Sequence, residues 1–441
     1  MTNKDQLKSE IMQKITQYYL DQHADQEFIP GVSRVKYAGR VFDDIEMQMM
    51  VSAVLDFWLT AGPYAMQFEK ELGKFLGVHE IIPVNSGSSA NLVAVTALRS
   101  KQLGERRLRV GDEVIVPATS FPTTIAPLIQ NGLIPVFVDC NLADYNLDIN
   151  EVKKAISPRT KAIMFAHTLG NPADMDNIVP IVQENDFLLI EDVCDALGST
   201  YDGRMLGTFG DVATLSFYPA HHITLGEGGA VFTKSRRLAK IARSVRDWGR
   251  DCWCEYDNPP NGKCGRRFET EIPGISGCYD HRYYFTEIGY NLKLTDPQAA
   301  IGLAQLAKLP DFIDARKKNF KMLYDGLKEW QDYFILPTWH SKSDPSWFAF
   351  PITVRSEAPF NRNIIIKYLE EHNIETRMLF AGNVLRQPGY VDVNCRIIGD
   401  LSASDYVMNS TFFIGVYPGI NDDQIDYILD IFNSFVRDIV C

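Results

Sequence analysis

Short apolar runs that alternate with helical patterns constrain the fold of this chain more than any other feature. The runs lie at residues 113–118, 135–140, 161–167 and 187–193. Runs of this length separated by helices predict a mostly parallel β-sheet with helices on both faces. We therefore predict an α/β fold whose ligands bind at the carboxyl ends of the strands.

The pattern also predicts how the chain is divided. With 441 residues, 46% of them hydrophobic, it can bury a large core. We predict an N-terminal helical segment at 1–60, a large domain at 61–305 and a small C-terminal α+β domain at 306–441. A stretch at 250–285, rich in Cys, Gly, Pro, Arg and Tyr, breaks the alternation and is predicted to be a long ordered excursion from the large domain.

Composition argues against two classes of partner. The chain has 44 basic and 56 acidic residues, a net charge of −12 and no evident basic stripe. Nucleic acid and anionic membranes bind clustered Lys and Arg, so neither is expected as a partner. No stretch has the length of a membrane span, and the amphipathic N-terminus lacks a signal-peptide core. A cytoplasmic location is the simplest expectation.

Three groups beside predicted strands could form a binding site. Residues 85–91, NSGSSAN, precede a helix, where small residues let backbone N–H groups approach a phosphate; alternatively they form an ordinary N-cap. Asp192 ends an apolar strand and could hold a pyridinium nitrogen protonated, or it could be a solvated acid. Phe121 could stack on a planar ring or belong to the core.

The segment SFYPAHHITLGEGG at 216–229 carries a histidine pair, His221 and His222, before a glycine-rich turn. An isolated histidine pair is usually structural or exposed. The flanking Ser216 and the turn at 226–229 favour a functional site instead. Imidazole can act as a base near neutral pH.

In order and spacing, these groups resemble the fold type I pyridoxal phosphate enzymes. More narrowly, they resemble the DegT/DnrJ/EryC1/StrS sugar aminotransferase family, which acts on nucleotide-linked keto sugars. The resemblance covers roughly residues 55–440. It includes GDEVIVP at 111–117, GEGG at 226–229 and GYN at 289–291.

The resemblance implies a role for each cofactor-binding residue. Gly87, Ser88 and Ser216 are expected to contact the cofactor phosphate. Asn291 is expected to reach the phosphate of the neighbouring subunit, since enzymes of this kind are homodimers with sites at the interface.

The resemblance also implies three contacts to the cofactor ring. Phe121 is expected to stack on it, and Asp192 to meet its nitrogen. Asp195 stands beside the cofactor, where many relatives carry Gln.

The chain departs from the family at His221, where an aminotransferase has the lysine that holds its cofactor covalently. Imidazole cannot form that linkage. The exchange is similar to that of a dehydrase branch that uses pyridoxamine 5'-phosphate (or pyridoxal 5'-phosphate). This implies C3 deoxygenation of a nucleotide-linked, CDP-type 4-keto-6-deoxy-D-glucose for 3,6-dideoxysugars of surface polysaccharide, with His221 as the catalytic base.

The cysteines suggest a metal centre. Cys194, Cys252, Cys254 and Cys264 give the spacing C-x57-C-x-C-x9-C. Four thiolates suit an iron–sulfur cluster or zinc, and C-x-C is shorter than a usual zinc knuckle. The iron–sulfur members of the dehydrase branch carry a [2Fe-2S] cluster on a similar arrangement with a shorter final gap, so Cys278 is a substitute fourth ligand. Alternatively, these are loop cysteines without a ligand.

Such a cluster requires an electron donor. No G-x-G-x-x-G motif is evident in the chain, so a partner flavin or iron–sulfur reductase is expected. In the small domain, Arg377 could bind a diphosphate bidentately or could be an ordinary surface arginine.

Three other functions remain open. The first is a cluster-free 3-dehydrase that takes its amine and reducing equivalents from glutamate. The second is a cofactor-binding regulatory protein without catalysis. An ordinary sugar aminotransferase comes last because the lysine is missing.

Overall fold

The computed structural model describes residues 3–23, 27–252, 254 and 265–440. The α-helices in these ranges are α1 (Asn3–His23), α2 (Asp44–Asp56), α3 (Pro63–Leu76), α4 (Gly87–Ala97), α5 (Pro122–Gln130), α6 (Ile149–Ala155), α7 (Met175–Glu184), α8 (Arg236–Arg246), α9 (Asp296–Leu327), α10 (Arg362–Glu371), α11 (Ser402–Ser410) and α12 (Asp422–Val440). Short 3-10 segments lie at Lys101–Arg106, Thr168–Gly170, His281–Tyr283, Lys328–Trp330, Val384–Arg386 and Pro388–Tyr390.

The strands of the same ranges are β1 (Glu80–Val84), β2 (Glu113–Pro117), β3 (Ile134–Val138), β4 (Thr160–Ala166), β5 (Leu188–Asp192), β6 (Thr200–Tyr201), β7 (Arg204–Met205), β8 (Val212–Ser216), β9 (Gly229–Thr233), β10 (Thr270–Glu271), β11 (Cys278–Tyr279), β12 (Phe334–Ile335), β13 (Ser343–Asp344), β14 (Ala349–Val354), β15 (Arg396–Ile397) and β16 (Thr411–Gly415).

A central sheet of eight described strands has the order β1-β9-β8-β5-β4-β2-β3-β15. From β8 to β15 all neighbours are parallel. Strand β9 is antiparallel to both of its neighbours, β1 and β8. The predicted α/β fold with a mostly parallel sheet is confirmed, and the four apolar runs form β2, β3, β4 and β5. The antiparallel strand β9 was not predicted.

The sheet is buried on both faces. Successive strand residues point to opposite sides, so Ile115 and Leu189 pack in one hydrophobic cluster while Val114 and Ile190 pack in another. Two-sided burial explains why these strands are continuously apolar rather than alternating.

The C-terminal region has its own core. Strands β12, β14 and β16 form an antiparallel sheet, and the second half of α9 packs against it with α10 and α12. Strand β15 lies in the same part of the sequence but pairs with β3 in the central sheet. The domain boundaries at 60 and 305 stay predictions.

The remaining described segments lie around these cores. Helix α1 packs on α2, and β10 pairs with β11 in the excursion at 250–285. Among the described residues, no helix is both long and apolar enough to span a bilayer.

Candidate active site

A cavity of about 500 Å³ opens where the carboxyl ends of the parallel strands meet the C-terminal region. It is lined by most of the residues singled out from the sequence: Gly87, Ser88, Phe121, Asp192, Cys194, Asp195, Ser216 and His221. Of the other described candidates, Asn291, Cys252 and Cys254 do not line it. Tyr37, Tyr218, Glu227, Phe348 and Arg377 also line it.

The start of α4 forms one end of the cavity. Ser86 is the N-cap, and its Oγ accepts a hydrogen bond from Ser89 N at 3.0 Å. A Cβ on Gly87 would lie 2.5 Å from Ser216 Cβ, so only glycine fits here. The unpaired N–H groups and positive dipole of a helix start suit an anion. This end of the cavity can therefore hold a phosphate.

The antiparallel strand β9 closes this end. Its first residue, Gly229, pairs with Ser216, and a Cβ there would lie 2.5 Å from the carbonyl of Ser86. The glycine lets the chain return beside the phosphate cradle after the loop that carries His221.

Asp192 is almost fully buried at the cavity floor. Its Oδ2 accepts hydrogen bonds from Asn91 Nδ2 and Thr124 Oγ1, each at 2.8 Å. Its Oδ1 accepts one from Cys194 N at 3.1 Å. The carboxylate is thus fixed in orientation and retains acceptor capacity for a donor in the cavity.

Only some of the residues that orient Asp192 could be predicted from the sequence. Asn91 lies within the NSGSSAN motif, and Thr214 Oγ1 donates to its Oδ1 at 2.7 Å. Thr124 and Thr214 carried no signal, because a single threonine in a helix or strand is not distinctive.

Asp195 and His221 approach each other on one wall of the cavity. His221 Nδ1 lies 3.4 Å from Asp195 Oδ1. Neither that nitrogen nor Asp195 Oδ2 has a hydrogen-bond partner among the described residues. The Nδ1 side of the ring is thus turned toward the protein interior, and Nε2 is the nitrogen that remains for a ligand.

Burial changes the protonation of both groups. It raises the pKa of Asp195 to about 7, and the nearby Asp192 acts in the same direction. Burial and then the positive charge of Arg316 lower the pKa of His221 to about 3. Both effects on His221 favour its neutral form at physiological pH.

Two residues beside His221 were missed from the sequence. The ring of Phe348 lies 5.4 Å from the imidazole, and Arg316 binds the carbonyl of His221 at 3.1 Å. Both come from positions more than ninety residues further along the chain, so no local pattern could connect them with the histidine.

A family model described as the DegT/DnrJ/EryC1/StrS aminotransferase family matches residues 42–433. The chain belongs to this family.

Relatives in the family match most of the chain. It is 50% identical over 431 residues to the lipopolysaccharide biosynthesis protein RfbH of Salmonella typhimurium, covering 97% of this chain and 98% of that one. It is 48% identical over 431 residues to dTDP-4-dehydro-2,6-dideoxy-D-glucose 3-dehydratase of Saccharopolyspora spinosa, covering 97% and 92%.

A solved structure gives the same fold. GDP-4-keto-6-deoxymannose-3-dehydratase with a trapped PLP-glutamate geminal diamine has a TM-score of 0.80 and 30% identity, covering 90% of this chain and 99% of that one. This member of the DegT/DnrJ/EryC1/StrS family thus has the fold of pyridoxal phosphate enzymes.

The residues of the cavity fit such a cofactor. Gly87 leaves space beside Ser216 Oγ for a phosphate, and Asp192 presents a carboxylate oriented by Asn91 and Thr124. Phe121 is half-exposed at the start of α5, with its ring edge-on to Phe380 at 6.3 Å. Its role in stacking stays a prediction.

Asn291 lies apart from the cavity of its own chain. It is exposed and accepts a hydrogen bond from Lys293 Nζ at 2.6 Å. The expected contact with a second subunit stays a prediction.

The cysteines separate into two places. Cys194 lies in the cavity wall, where burial, followed by the charge of Asp192, raises its pKa well above the usual value. Burial also raises the pKa of Cys252 to about 11, and its thiol interacts with that of Cys254. Cys278 is exposed on β11.

The described residues contain no group of three or more His, Cys, Asp or Glu side chains that could hold a metal ion. Cys264 lies outside the described residues, so its part in the predicted ligand set is not seen. The cluster therefore stays a prediction.

Proposed function

We propose that this chain is a sugar-nucleotide 3-dehydratase that works with pyridoxamine 5'-phosphate (or pyridoxal 5'-phosphate). Its proposed substrate is CDP-4-keto-6-deoxy-D-glucose, and its proposed role is 3,6-dideoxysugar biosynthesis for surface polysaccharide. The observation that carries this is His221, a neutral imidazole facing the same cavity as Asp192 in a family whose aminotransferases use lysine at this point. The names of the relatives, two of them 3-dehydratases, support it.

The cavity residues would hold the cofactor at its two ends. The start of α4, with Gly87 and Ser88, and the hydroxyl of Ser216 would bind the phosphate. Asp192 would keep the ring nitrogen protonated, Phe121 would stack on the ring and Asp195 would lie beside it. When bound, the cofactor supplies an amine for a keto sugar and a ring that accepts electrons.

His221 is the proposed base. The Nε2 atom of the imidazole would accept a proton as the C3 hydroxyl of the sugar departs. Because burial keeps the ring neutral, no proton has to leave it first. Asp192 meanwhile holds its carboxyl group in the orientation set by Asn91 and Thr124.

Substrate recognition is proposed at the cavity mouth. The guanidinium of Arg377 lies 4.1 Å from the centre of the Tyr37 ring and lines the cavity. From there it can bind the diphosphate of a nucleotide sugar bidentately. The relatives carry dTDP and GDP in their names, so turnover of CDP, dTDP and GDP sugars side by side identifies the nucleotide.

Deoxygenation at C3 requires two electrons. We propose that Cys194, Cys252, Cys254 and Cys264, or Cys278 as the fourth ligand, hold a [2Fe-2S] cluster that passes them singly from a flavin or iron–sulfur reductase. The proposed assembly is a homodimer in which Asn291 of each subunit completes the phosphate site of the other. Light scattering of the purified protein tests the dimer.

A cluster-free dehydratase that draws on glutamate is the second candidate. One observation favours it: the solved relative contains a PLP-glutamate adduct. This candidate keeps the roles of His221 and Asp192 but gives the cysteines no ligand role.

One experiment decides between them. The protein is purified anaerobically, reduced with dithionite and measured by electron paramagnetic resonance alongside iron and sulfide analysis. The same sample is assayed for C3 deoxygenation with a reductase and, separately, with glutamate. A two-iron signal with reductase-dependent turnover supports the first candidate; iron-free protein with glutamate-dependent turnover supports the second. Absence of any turnover on all three nucleotide sugars would leave a non-catalytic cofactor-binding protein.

A further inference from the structure

Arg316 is a fully buried arginine near the middle of the 32-residue helix α9, with 1% of its surface exposed. Among the described residues no carboxylate forms an ion pair with it, although Asp195 is close enough to act on it electrostatically. Burial lowers its pKa to about 9. A buried charge is costly to a fold unless its hydrogen bonds are met, so its contacts indicate what it does.

Its contacts join two parts of the cavity wall. One Nη donates to the carbonyls of Trp347 and Phe348 at 3.1 and 3.0 Å. The other Nη donates to the carbonyl of His221 at 3.1 Å. The planar fork of the guanidinium thus spans two chain segments that are distant in the sequence.

The main chain at His221 depends on this contact. Its N–H donates to the carbonyl of Tyr218 at 2.9 Å, which forms a tight turn, and its carbonyl points to Arg316. The neighbouring His222 ties the same loop to the carbonyl of Ser346 through Nε2 at 2.7 Å. Residues 221–222 are therefore held against 346–348 from two sides.

The space beside His221 and Arg316 is small. A cavity of only about 10 Å³, bounded among others by His221, His222, Gln305 and Arg316, lies there. A cavity this small admits one water molecule at most. Little room is left for solvent between these side chains, and the positive charge of Arg316 lowers the pKa of His221 in addition to burial.

We propose that Arg316 is a positioning residue that clamps the His221 loop to residues 347–348 and adds its charge to the effect of burial in disfavouring the protonated imidazole. The proposal rests on the proposed function, because it treats His221 as the catalytic base. The proposal assigns two effects to the Arg316 side chain. Its planar guanidinium holds the loop through hydrogen bonds, and its positive charge acts on the imidazole.

Other charged or titratable groups line the same cavities as the imidazole. They come from its own loop, from the end of β5 and the chain after it, from the segment before α2 and from the segment after α10: Tyr218, His222, Glu227, Asp192, Cys194, Asp195, Tyr37 and Arg377. Among them, burial raises the pKa of Asp195 to about 7. At pH 5 it is protonated, so a comparison at that pH reports on Arg316 rather than on Asp195.

The test uses the holoenzyme labelled with carbon-13 at histidine. The chain has eight histidines, and the resonance missing from His221→Asn assigns the base. We expect the protonated fraction of His221 at pH 5 to rise about tenfold or more in Arg316→Met, since a neighbouring like charge typically shifts a pKa by about one unit or more. An unchanged fraction would overturn the proposed charge effect.

Arg316→Lys separates the fork from the charge. Lysine retains the positive charge but cannot donate to three carbonyls in one plane. We expect the protonated fraction to stay low while kcat falls about tenfold or more with little change in KM, because a misplaced base slows chemistry more than binding. A normal kcat in this variant would overturn the clamp.

Arg362→Met is the matched control. Arg362 is a partly buried arginine on α10 that also donates to main-chain carbonyls, those of Met408 and Thr411, and that does not line the cavity. We expect it to lose stability as the Arg316 variants do, without any change in the His221 resonance. If it changes the resonance equally, the effect is a general loss of packing and the proposal fails. Turnover by His221→Asn would instead overturn the proposed function, while the spectral result, which needs no turnover, would stand.

Discussion

The carboxyl edge of the central sheet and the excursion at 250–285 differ in how their functional residues are held. At the sheet edge, Asp192 is the last residue of a buried strand and receives hydrogen bonds from two helices. In the excursion, Cys252 and Cys254 follow a single bridge between Arg250 and Phe285, and the described strands are two residues long.

The difference shows what spacing in a sequence can predict. A residue at the end of a parallel strand is positioned by the hydrogen bonds between that strand and its neighbours. Because the carboxyl ends of such strands lie at one edge of the sheet, the sequence predicts which side chains lie close together. A ligand set spread over an irregular segment has no such ladder. Its assembly depends on the bonds to the metal as well as on the chain.

The largest effect is expected at the sheet edge, where His221→Asn tests the proposed catalytic base. We expect turnover to fall about 10²- to 10⁴-fold, the usual contribution of a general base, with the cofactor still bound. Product formation and cofactor absorbance measure the two effects. His79→Asn, an exposed histidine away from the cavity, is the control. Full activity of the His221 variant would remove the base from the mechanism.

Cys252→Ser and Cys254→Ser test whether the excursion at 250–285 supplies ligands to a [2Fe-2S] cluster. We expect the iron content to fall from about two per chain to near zero, because a [2Fe-2S] cluster needs four protein ligands. Cys395→Ser, a partly buried free thiol elsewhere, should retain its iron. Comparing Cys264→Ser with Cys278→Ser identifies the fourth ligand. Iron retained in all four variants would end the cluster proposal.

A smaller effect is expected at the phosphate end of the cavity. In Gly87→Ala the new Cβ would overlap Ser216 Cβ at 2.5 Å, so the cradle must open. We expect the cofactor Kd to rise about tenfold or more, as for loss of one charge-assisted hydrogen bond. Gly389→Ala, where a Cβ meets nothing within 4 Å, controls for the substitution itself. Equal affinity in both variants would argue against a phosphate at α4.

The smallest expected effect concerns stability and pH. The pKa of Asp195 is raised by burial to about 7 from an ordinary value of 3.8, so the folded state holds a proton that the unfolded chain loses. Its contribution to stability is present below about pH 4 and is lost as the pH rises to about 7.

Asp195→Asn removes the carboxyl group and with it this loss of stability at higher pH. We expect the variant to be about 1 to 4 kcal/mol more stable than the natural protein at pH 8, with only about a quarter of that gain at pH 4.5. Urea unfolding at both pH values measures the difference, with Asp202→Asn at an exposed turn as the control. A gain of the same size at both pH values would contradict the raised pKa.

Much of the fold could be predicted because its signals are local. The four apolar runs became neighbouring parallel strands, and residues at or after the ends of β2, β4 and β5 line one cavity. Strand β9 escaped prediction because a five-residue apolar strand looks the same in either direction. Strand β15 escaped because two residues, Arg396 and Ile397, are too short for a pattern.

The supporting parts of the site depend on long-range packing. Thr124 reaches Asp192 from the helix after another strand, and Arg316 reaches His221 from a helix ninety-five residues away. A buried arginine on a helix gives no sign in the sequence of which carbonyl it will meet. Only the fold brings these groups together.

The hydrogen bonds of the loop around His221 have a consequence for how such proteins diverge. Its ends are fixed between Ser216 and Gly229, and its main chain is held by Tyr218 and Arg316. None of these contacts uses the side chain at position 221. The side chain at this position can therefore be exchanged without loss of the hydrogen bonds that hold the loop. One substitution would change the chemistry that the loop offers to the cavity while its main chain keeps its path.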